Sequence, residues 1–60
     1  MRKYIGFYDD GHDYGEFYYY SSYRNYSKAN MQDMENEFKK RFGYSRYNQV
    51  ELKFGYLVKD

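Results

Sequence analysis

The chain of 60 residues contains no cysteine, no proline and no tryptophan, and its one histidine is His12. Without cysteine there is no disulfide to stabilise the fold and no thiolate to bind a metal, and one histidine is too few for a histidine-rich metal site. We therefore expect neither a metal nor a cofactor. A chain this short buries only about 60% of the surface that its unfolded form exposes. Association with a second copy commonly stabilises such small domains, so we expect a homodimer.

Charge of one sign and long apolar runs are also missing. Ten basic and nine acidic residues give a net charge of +1, which is typical neither of a strongly basic nucleic-acid binder nor of an acidic mimic of DNA. No apolar run approaches the roughly 18 residues of a membrane-spanning helix, so we expect no membrane partner. The apolar stretch after Lys3 ends at Asp9, too early for a signal peptide. With no cysteine, the expected location is the cytoplasm, and the host cell cytoplasm if a phage encodes the protein.

Large aliphatic side chains are scarce, whereas aromatic residues make up 27% of the chain and include eleven tyrosines. The aliphatic set is Ile5, Val50, Leu52, Leu57 and Val58. The core must therefore contain phenylalanine, methionine and the rings of tyrosine. Because a buried tyrosine hydroxyl needs a hydrogen-bond partner or access to water, we expect many of these rings at edges or interfaces.

Three segments have the alternating pattern of β-strands. Residues 3–9 and 16–23 flank a turn rich in Asp and Gly and predict a hairpin, and residues 49–59 predict a third strand with a bulge or bend at Gly55. In the hairpin we expect Phe7 opposite Phe17, which places Gly6 opposite Tyr18. In the third strand the alternation predicts one shared apolar face, formed by Val50, Leu52, Phe54, Tyr56 and Val58.

The segment between the second and third strands predicts a helix. Met31, Met34, Phe38 and Phe42 follow one another at spacings of three and four residues, which places them on one stripe. Ser27 or Asn30 provides the N-terminal cap, and Gly43 is the expected residue after the C-terminus.

The order of elements is ββαβ, so we predict a single small α+β domain over residues 1–60, with one helix packed on one face of a three-stranded sheet. The favoured strand order is 2-1-3, which includes a crossover between the second and third strands, and strand 3 beside strand 2 is the alternative. The predicted core consists of Ile5, Phe7, Phe17, Tyr19, Met31, Met34, Phe38, Phe42, Val50, Leu52 and Phe54.

The other sheet face then carries exposed tyrosines. If the helix covers Ile5 and Phe7, the tyrosines that alternate with the core residues along the strands face away from the helix and surround Gly6. Large exposed aromatic patches mark interaction surfaces. We expect a protein interface there, extended by two tyrosines of the following connection: Tyr4, Tyr8, Tyr18, Tyr20, Tyr23 and Tyr26. The plainer alternative is that Tyr56, Leu57 or the loop tyrosines cover the patch within one chain.

No constellation predicts catalysis or metal binding. His12 is the only histidine available as a general base, no serine lies close to it in sequence, and the turn lacks the calcium-binding spacing of an EF-hand. We therefore expect no enzyme and no metal site. The acidic side chains around the turn are a candidate contact for a basic partner, although a solvated turn explains them as well: Asp9, Asp10, Asp13 and Glu16.

Binding of single-stranded nucleic acid is the alternative function. Aromatic sheet faces stack bases, and basic residues beside them contact phosphates. Here Arg24 and Lys28 flank Tyr26, and Arg46 lies between two further tyrosines. Tyrosine is equally typical of protein interfaces, because it offers a large contact area at a small cost in side-chain entropy.

A short, tyrosine-rich chain without cysteine or proline resembles the small proteins that phages and mobile elements encode to bind and block host or defence enzymes. The resemblance is one of size and composition, and no motif matches a named family. It implies a non-enzymatic protein-binding module that acts as an inhibitor by covering a site on an unidentified host protein.

Overall fold

A computed structural model describes residues 1–60. The elements are strand β1 (Arg2–Asp9), strand β2 (Tyr14–Ser21), helix α1 (Lys28–Phe42), the short helix α2 (Tyr44–Tyr47) and strand β3 (Glu51–Lys59). The sheet order is β2-β1-β3, with β1 antiparallel to both neighbours. This confirms the predicted α+β fold with its ββαβ order and the strand order 2-1-3. Helix α2 was not predicted.

The predicted register would leave residues 11–13 as the hairpin loop, and the observed turn is one residue longer. Asp9 pairs with Tyr14, which leaves a loop over residues 10–13. The Asp10 carboxylate accepts hydrogen bonds from the backbone N–H groups of His12 (2.9 Å) and Asp13 (2.8 Å), and the Asp9 carboxylate accepts one from Gly11 N (2.9 Å). These bonds close the turn, and in doing so they set the register of the two strands.

The predicted register of the hairpin is wrong by one residue. Gly6 lies opposite Phe17, and Phe7 lies opposite Glu16. Because side chains alternate between the two faces of a strand, this shift exchanges the faces of β1. Tyr4, Gly6 and Tyr8 share the helix side of the sheet, whereas the predicted core residues Ile5 and Phe7 lie on the other side.

Helix α1 begins and ends as the sequence predicts. The Ser27 hydroxyl caps it by accepting a hydrogen bond from Asn30 N, and Gly43 follows it with φ 96°. The predicted stripe faces the sheet, and Met34 and Phe38 are fully buried. A Cβ on Gly6 would lie only 3.1 Å from the Met34 sulfur, so a glycine at this point of β1 allows the helix to approach closely.

The core contains a hydrogen-bonded group of polar atoms. The buried Tyr19 hydroxyl donates to Asn30 Oδ1 at 2.5 Å, and Asn30 Nδ2 donates to the backbone oxygen of Tyr23 at 3.0 Å. The Tyr4 hydroxyl donates to the same oxygen at 2.9 Å, and the rings of Tyr4 and Tyr19 stack with their centroids 5.5 Å apart. Tyrosine is therefore fully buried here, because each hydroxyl reaches an acceptor.

Strand β3 changes its face at a bulge. Phe54 lies opposite Gly6 and Tyr56 lies opposite Ile5, so Gly55 is an extra residue in the ladder. A Cβ on Gly55 would overlap the backbone oxygen of Ile5 and a side-chain atom of Phe7, which only glycine avoids. The predicted bulge at Gly55 is thus confirmed, and the prediction of one apolar face along the whole of this strand is wrong.

We expect Gly55→Ala to lower the free energy of unfolding by about 2 kcal/mol or more, because the new methyl group meets the rigid backbone of β1. The matched control is Gly6→Ala, whose methyl group meets side-chain atoms, among them the flexible Met34 thioether. Its cost should be smaller, about 1 kcal/mol, at the lower end for an overpacked core. Urea unfolding followed by circular dichroism measures both variants, and equal losses would contradict the bulge.

The core hydroxyl of Tyr19 makes stability sensitive to high pH. Burial raises the pKa of this hydroxyl from its ordinary value of 10.0 to about 12, and the nearby Tyr4 phenol adds to the rise, although the hydrogen bond to Asn30 opposes it. Above about pH 10 the unfolded chain loses this proton while the folded chain retains it, so stability falls between about pH 10 and pH 12, by roughly 2–3 kcal/mol in total.

The measurement compares the free energy of unfolding of the wild type and Tyr19→Phe at intervals from about pH 8 to pH 11. The variant lacks the ionisable hydroxyl, so the advantage of the wild type should shrink as the pH rises. A difference that stays constant over this range would show that Tyr19 does not control the alkaline loss of stability.

Candidate interaction surface

The side of the sheet that faces away from α1 is called the open face. Strand pairing arranges its side chains in four rows across β2, β1 and β3. From the hairpin turn to the far end, these rows are Tyr14–Asp9–Glu51, Glu16–Phe7–Lys53, Tyr18–Ile5–Tyr56 and Tyr20–Lys3–Lys59. The first is called the acidic row, the last the basic row.

Aromatic side chains dominate the centre of the open face. Tyr18, Tyr20 and Tyr56 are 45%, 57% and 54% exposed, and Ile5 is buried among the side chains of this face. Phe7 is half-buried and lies 6.4 Å from the Tyr56 ring, centroid to centroid. No element of the fold covers this side, so the aromatic surface is available to a partner.

The charges of the open face are balanced and unpaired. The acids are Asp9, Glu16 and Glu51, and the bases are Lys3, Lys53 and Lys59. The two ion pairs of the chain, Arg2–Asp60 and Arg41–Glu37, involve none of them. The Lys3 ammonium lies 4.2 Å from the centre of the Tyr18 ring, which is a cation–π contact. The face therefore has no excess of positive charge for a phosphate backbone.

Two of the predicted interface tyrosines lie on the open face and two lie in the core. Tyr18 and Tyr20 point away from α1, as predicted. Tyr4 is 2% exposed. Tyr8 packs against rings of the core, and its ring centroid lies 5.5 Å from that of Phe38. The expectation that Tyr4 and Tyr8 face away from the helix is wrong, because the longer turn shifts the register by one residue.

Phe7 and Tyr56 belong to the open face in place of these two, and sequence reasoning missed both. The signal for Tyr56 was present, since the predicted bulge at Gly55 moves every later residue of β3 to the opposite face. The signal for Phe7 was the pair of Asp residues before Gly11, whose carboxylates close a four-residue turn.

Tyr23 and Tyr26 lie in the connection between β2 and α1, apart from the open face. Both are exposed, and the Tyr26 ring packs on Phe54 at 5.1 Å between centroids, on the helix side of the sheet. Tyr26 adopts φ 72°, a left-handed conformation that is unusual for an aromatic residue. The Asn25 amide fixes the connection by donating to the backbone oxygen of Gly55 at 3.3 Å.

Two of the four acidic side chains around the turn, Asp9 and Asp10, accept hydrogen bonds within the turn itself. Hydrogen bonds from the backbone N–H groups of Asp13 and His12 hold the pKa of Asp10 below its ordinary value. Asp9 and Glu16 face the open side, and Asp13 is exposed in the loop. No three histidine or acidic side chains come together in an arrangement that could hold a metal ion.

The basic residues of the nucleic-acid hypothesis do not come together. Arg24 and Lys28 lie at the connection and the start of α1, near the end of β1 that contains Tyr4. The Arg46 guanidinium lies 5.6 Å from the centre of the Tyr8 ring, towards the other end of β1. Tyr8 is about 13 Å from Tyr4 along the strand. None of these residues belongs to the rows of the open face.

An open depression of about 340 Å³ lies at the hairpin end of the open face. Its lining residues are Phe7, Tyr8, Asp9, Tyr14, Lys53 and Phe54. Phe7 and Tyr14 offer aromatic area there, and Asp9 and Lys53 carry opposite charges, so the depression can receive one side chain of a partner protein.

Comparisons of the chain with protein-family models, with curated proteins and with solved structures found no match. Neither helix has the length and apolar character that crossing a membrane requires. The geometry of the open face therefore carries the functional interpretation.

We expect Tyr18→Ser to change the free energy of unfolding by about 1 kcal/mol or less, because this ring is nearly half exposed. Tyr4→Ser should cost about 3–5 kcal/mol, because it empties a core site and removes the hydrogen bond to Tyr23. Urea unfolding at low protein concentration measures both. Equal losses, or a larger loss for Tyr18→Ser, would contradict the observed register.

Proposed function

We propose that the protein is a non-enzymatic protein-binding module, of the kind that small inhibitors from phages and mobile elements represent. It acts as a homodimer and blocks a host or defence protein by covering a site on it. The observation that carries the proposal is the cluster of exposed tyrosines on the open face, Tyr18, Tyr20 and Tyr56. Exposed tyrosines clustered on a rigid sheet are typical of protein interfaces.

The balance of charge on the open face favours a protein partner over a nucleic acid. Three acids and three bases share the face, so a phosphate backbone gains as much repulsion as attraction there. A protein partner can match both signs, since protein surfaces carry acids and bases together.

Single-stranded nucleic acid is the second candidate, and one observation favours it. Lys3 lies over the Tyr18 ring and beside Lys59, so the far end of the open face combines an aromatic ring with two ammonium groups. A base stacked on Tyr20 with its phosphates near these lysines would use that arrangement.

A salt series separates the two candidates. Fluorescence anisotropy of a labelled single-stranded oligonucleotide, at salt concentrations from about 20 to 200 mM, measures binding to the phosphate backbone. We expect no saturable binding at the lowest salt concentration. Tight binding that weakens steeply with salt, and is lost in Tyr18→Ser, would replace the protein-binding proposal with the nucleic-acid one.

Photo-crosslinking in cells tests the surface directly. A photoreactive phenylalanine analogue replaces Tyr20 on the open face, and in a matched variant it replaces Tyr44, which is 68% exposed but lies on α2. We expect nuclease-resistant protein adducts from position 20 and none of the same size from position 44. A nuclease-sensitive adduct, or the same adducts from both positions, would contradict the proposal.

A further inference from the structure

We propose that the open face binds the open face of a second copy of the chain, with the strands of the two sheets antiparallel. The inference rests on the proposed function, because it names one partner of the same surface. A host protein would compete with the second copy for the open face. Its basis is the order of the charges along the strands, which is complementary to itself when one copy is turned end over end.

The charges at the two ends of the open face are placed unfavourably in a single chain. Lys3 lies directly opposite Lys59, and Asp9 lies directly opposite Glu51. Like charges opposite each other on neighbouring strands destabilise a sheet. No ion pair within the chain relieves either of them. Both would be relieved if the acidic row of one copy lay over the basic row of another.

A two-fold axis that crosses the strands at Gly6 produces this arrangement. On β1 it brings Lys3 over Asp9 of the second copy and Ile5 over Phe7 of the second copy. On β3 it brings Glu51 over Lys59 of the second copy. Each contact occurs twice, as two-fold symmetry requires. A parallel arrangement would instead place acid over acid and lysine over lysine.

The distribution of residue types across the strands fits the same interface. The central strand contributes Ile5 and Phe7, which have no polar atoms, and the outer strands contribute Tyr18 and Tyr56, whose hydroxyls can reach water at the rim. An apolar centre within a polar rim is the usual anatomy of a protein interface. The depression at the hairpin end would lie opposite the end of the second copy that contains Tyr20.

The sheet has free edges at β2 and β3, and pairing through the edge of β3 is one competing way to form a dimer, which the structure disfavours. The ladder between β1 and β3 is irregular at two places, around Gly55 and again around Val58. Bulges and charged side chains at an edge oppose pairing with another chain. The molecule measures 31 × 17 × 17 Å, so the open face spans about 500 Å², which is at the small end of the range for specific interfaces and favours a weak dimer.

Sedimentation equilibrium of the full chain, from about 5 to 500 μM, measures this association. We expect a monomer–dimer equilibrium that weakens as salt rises, because opposite charges meet at both ends of the interface. A wild type that remains monomeric throughout, or a dimer that strengthens with salt, would overturn the inference.

Charge exchange provides the sharper test. In one variant Lys3→Glu and Lys59→Glu reverse the basic row, and in the other Asp9→Asn and Glu51→Lys reverse the sign of the acidic row. Asn at position 9 keeps the acceptor for the hydrogen bond from Gly11. Each variant alone should dimerise at least about tenfold more weakly than the wild type, and an equimolar mixture should form a heterodimer. Failure of the mixture to associate, with both variants folded, would overturn the inference.

A tyrosine on the strand furthest from β3 separates the face from the edge. Tyr18→Ser on β2 should weaken the dimer at least about tenfold, while Tyr44→Ser on α2 should leave it unchanged. A dimer that depends on Glu51 and Lys59 but tolerates Tyr18→Ser would be an edge dimer. If the wild type is monomeric and yet position 20 crosslinks to other proteins, the self-association fails while the proposed function stands.

Discussion

The turn that Asp10 closes is the constraint on which the rest of this structure depends. Two backbone N–H groups donate to the Asp10 carboxylate and stabilise a four-residue loop, and the loop length fixes the pairing of β1 with β2. Because side chains alternate along a strand, the pairing decides which tyrosines are buried and which meet solvent. The length of this exposed loop is thereby tied to the composition of both sheet faces.

The buried side of the sheet shows what tyrosine contributes where aliphatic residues are scarce. Tyr4 and Tyr19 supply ring area to the core, and their hydroxyls end on Asn30 and on the backbone oxygen of Tyr23. Asn30 on α1 accepts a hydrogen bond from Tyr19 on β2 and donates one to the backbone oxygen of Tyr23 in the connection, so it joins these three parts of the chain. A phenylalanine at position 19 would fill the same volume but leave Asn30 Oδ1 without its donor, and unsatisfied buried acceptors cost more than a hydrogen bond gains.

The sequence was sufficient to predict some elements and insufficient for others, for a physical reason. The stripe that contains Met34 and Phe38 has only one helical interpretation, and Gly55 has no side chain to pack, so the helix and the bulge were predictable. The register of β1 was not, since Ile5 and Phe7 suit a core as well as Tyr4 and Tyr8 do. The hydrogen bonds of the turn distinguish the two registers of β1, and the hydrophobic pattern of the sequence does not reveal those bonds. Two of the six predicted interface tyrosines, Tyr4 and Tyr8, were therefore assigned to the wrong side of β1.

A three-stranded sheet with one helix always leaves one face without a layer of its own fold, and the residues of that face reveal how the chain accommodates it. Here the apolar side chains of the open face lie on the central strand, tyrosines on both outer strands flank them, and charges of opposite sign occupy the two ends. A face selected only for solubility would place opposite charges beside each other, where they attract. This face instead places Lys3 beside Lys59 and Asp9 beside Glu51, an arrangement that becomes favourable when a second surface brings the opposite order of charges.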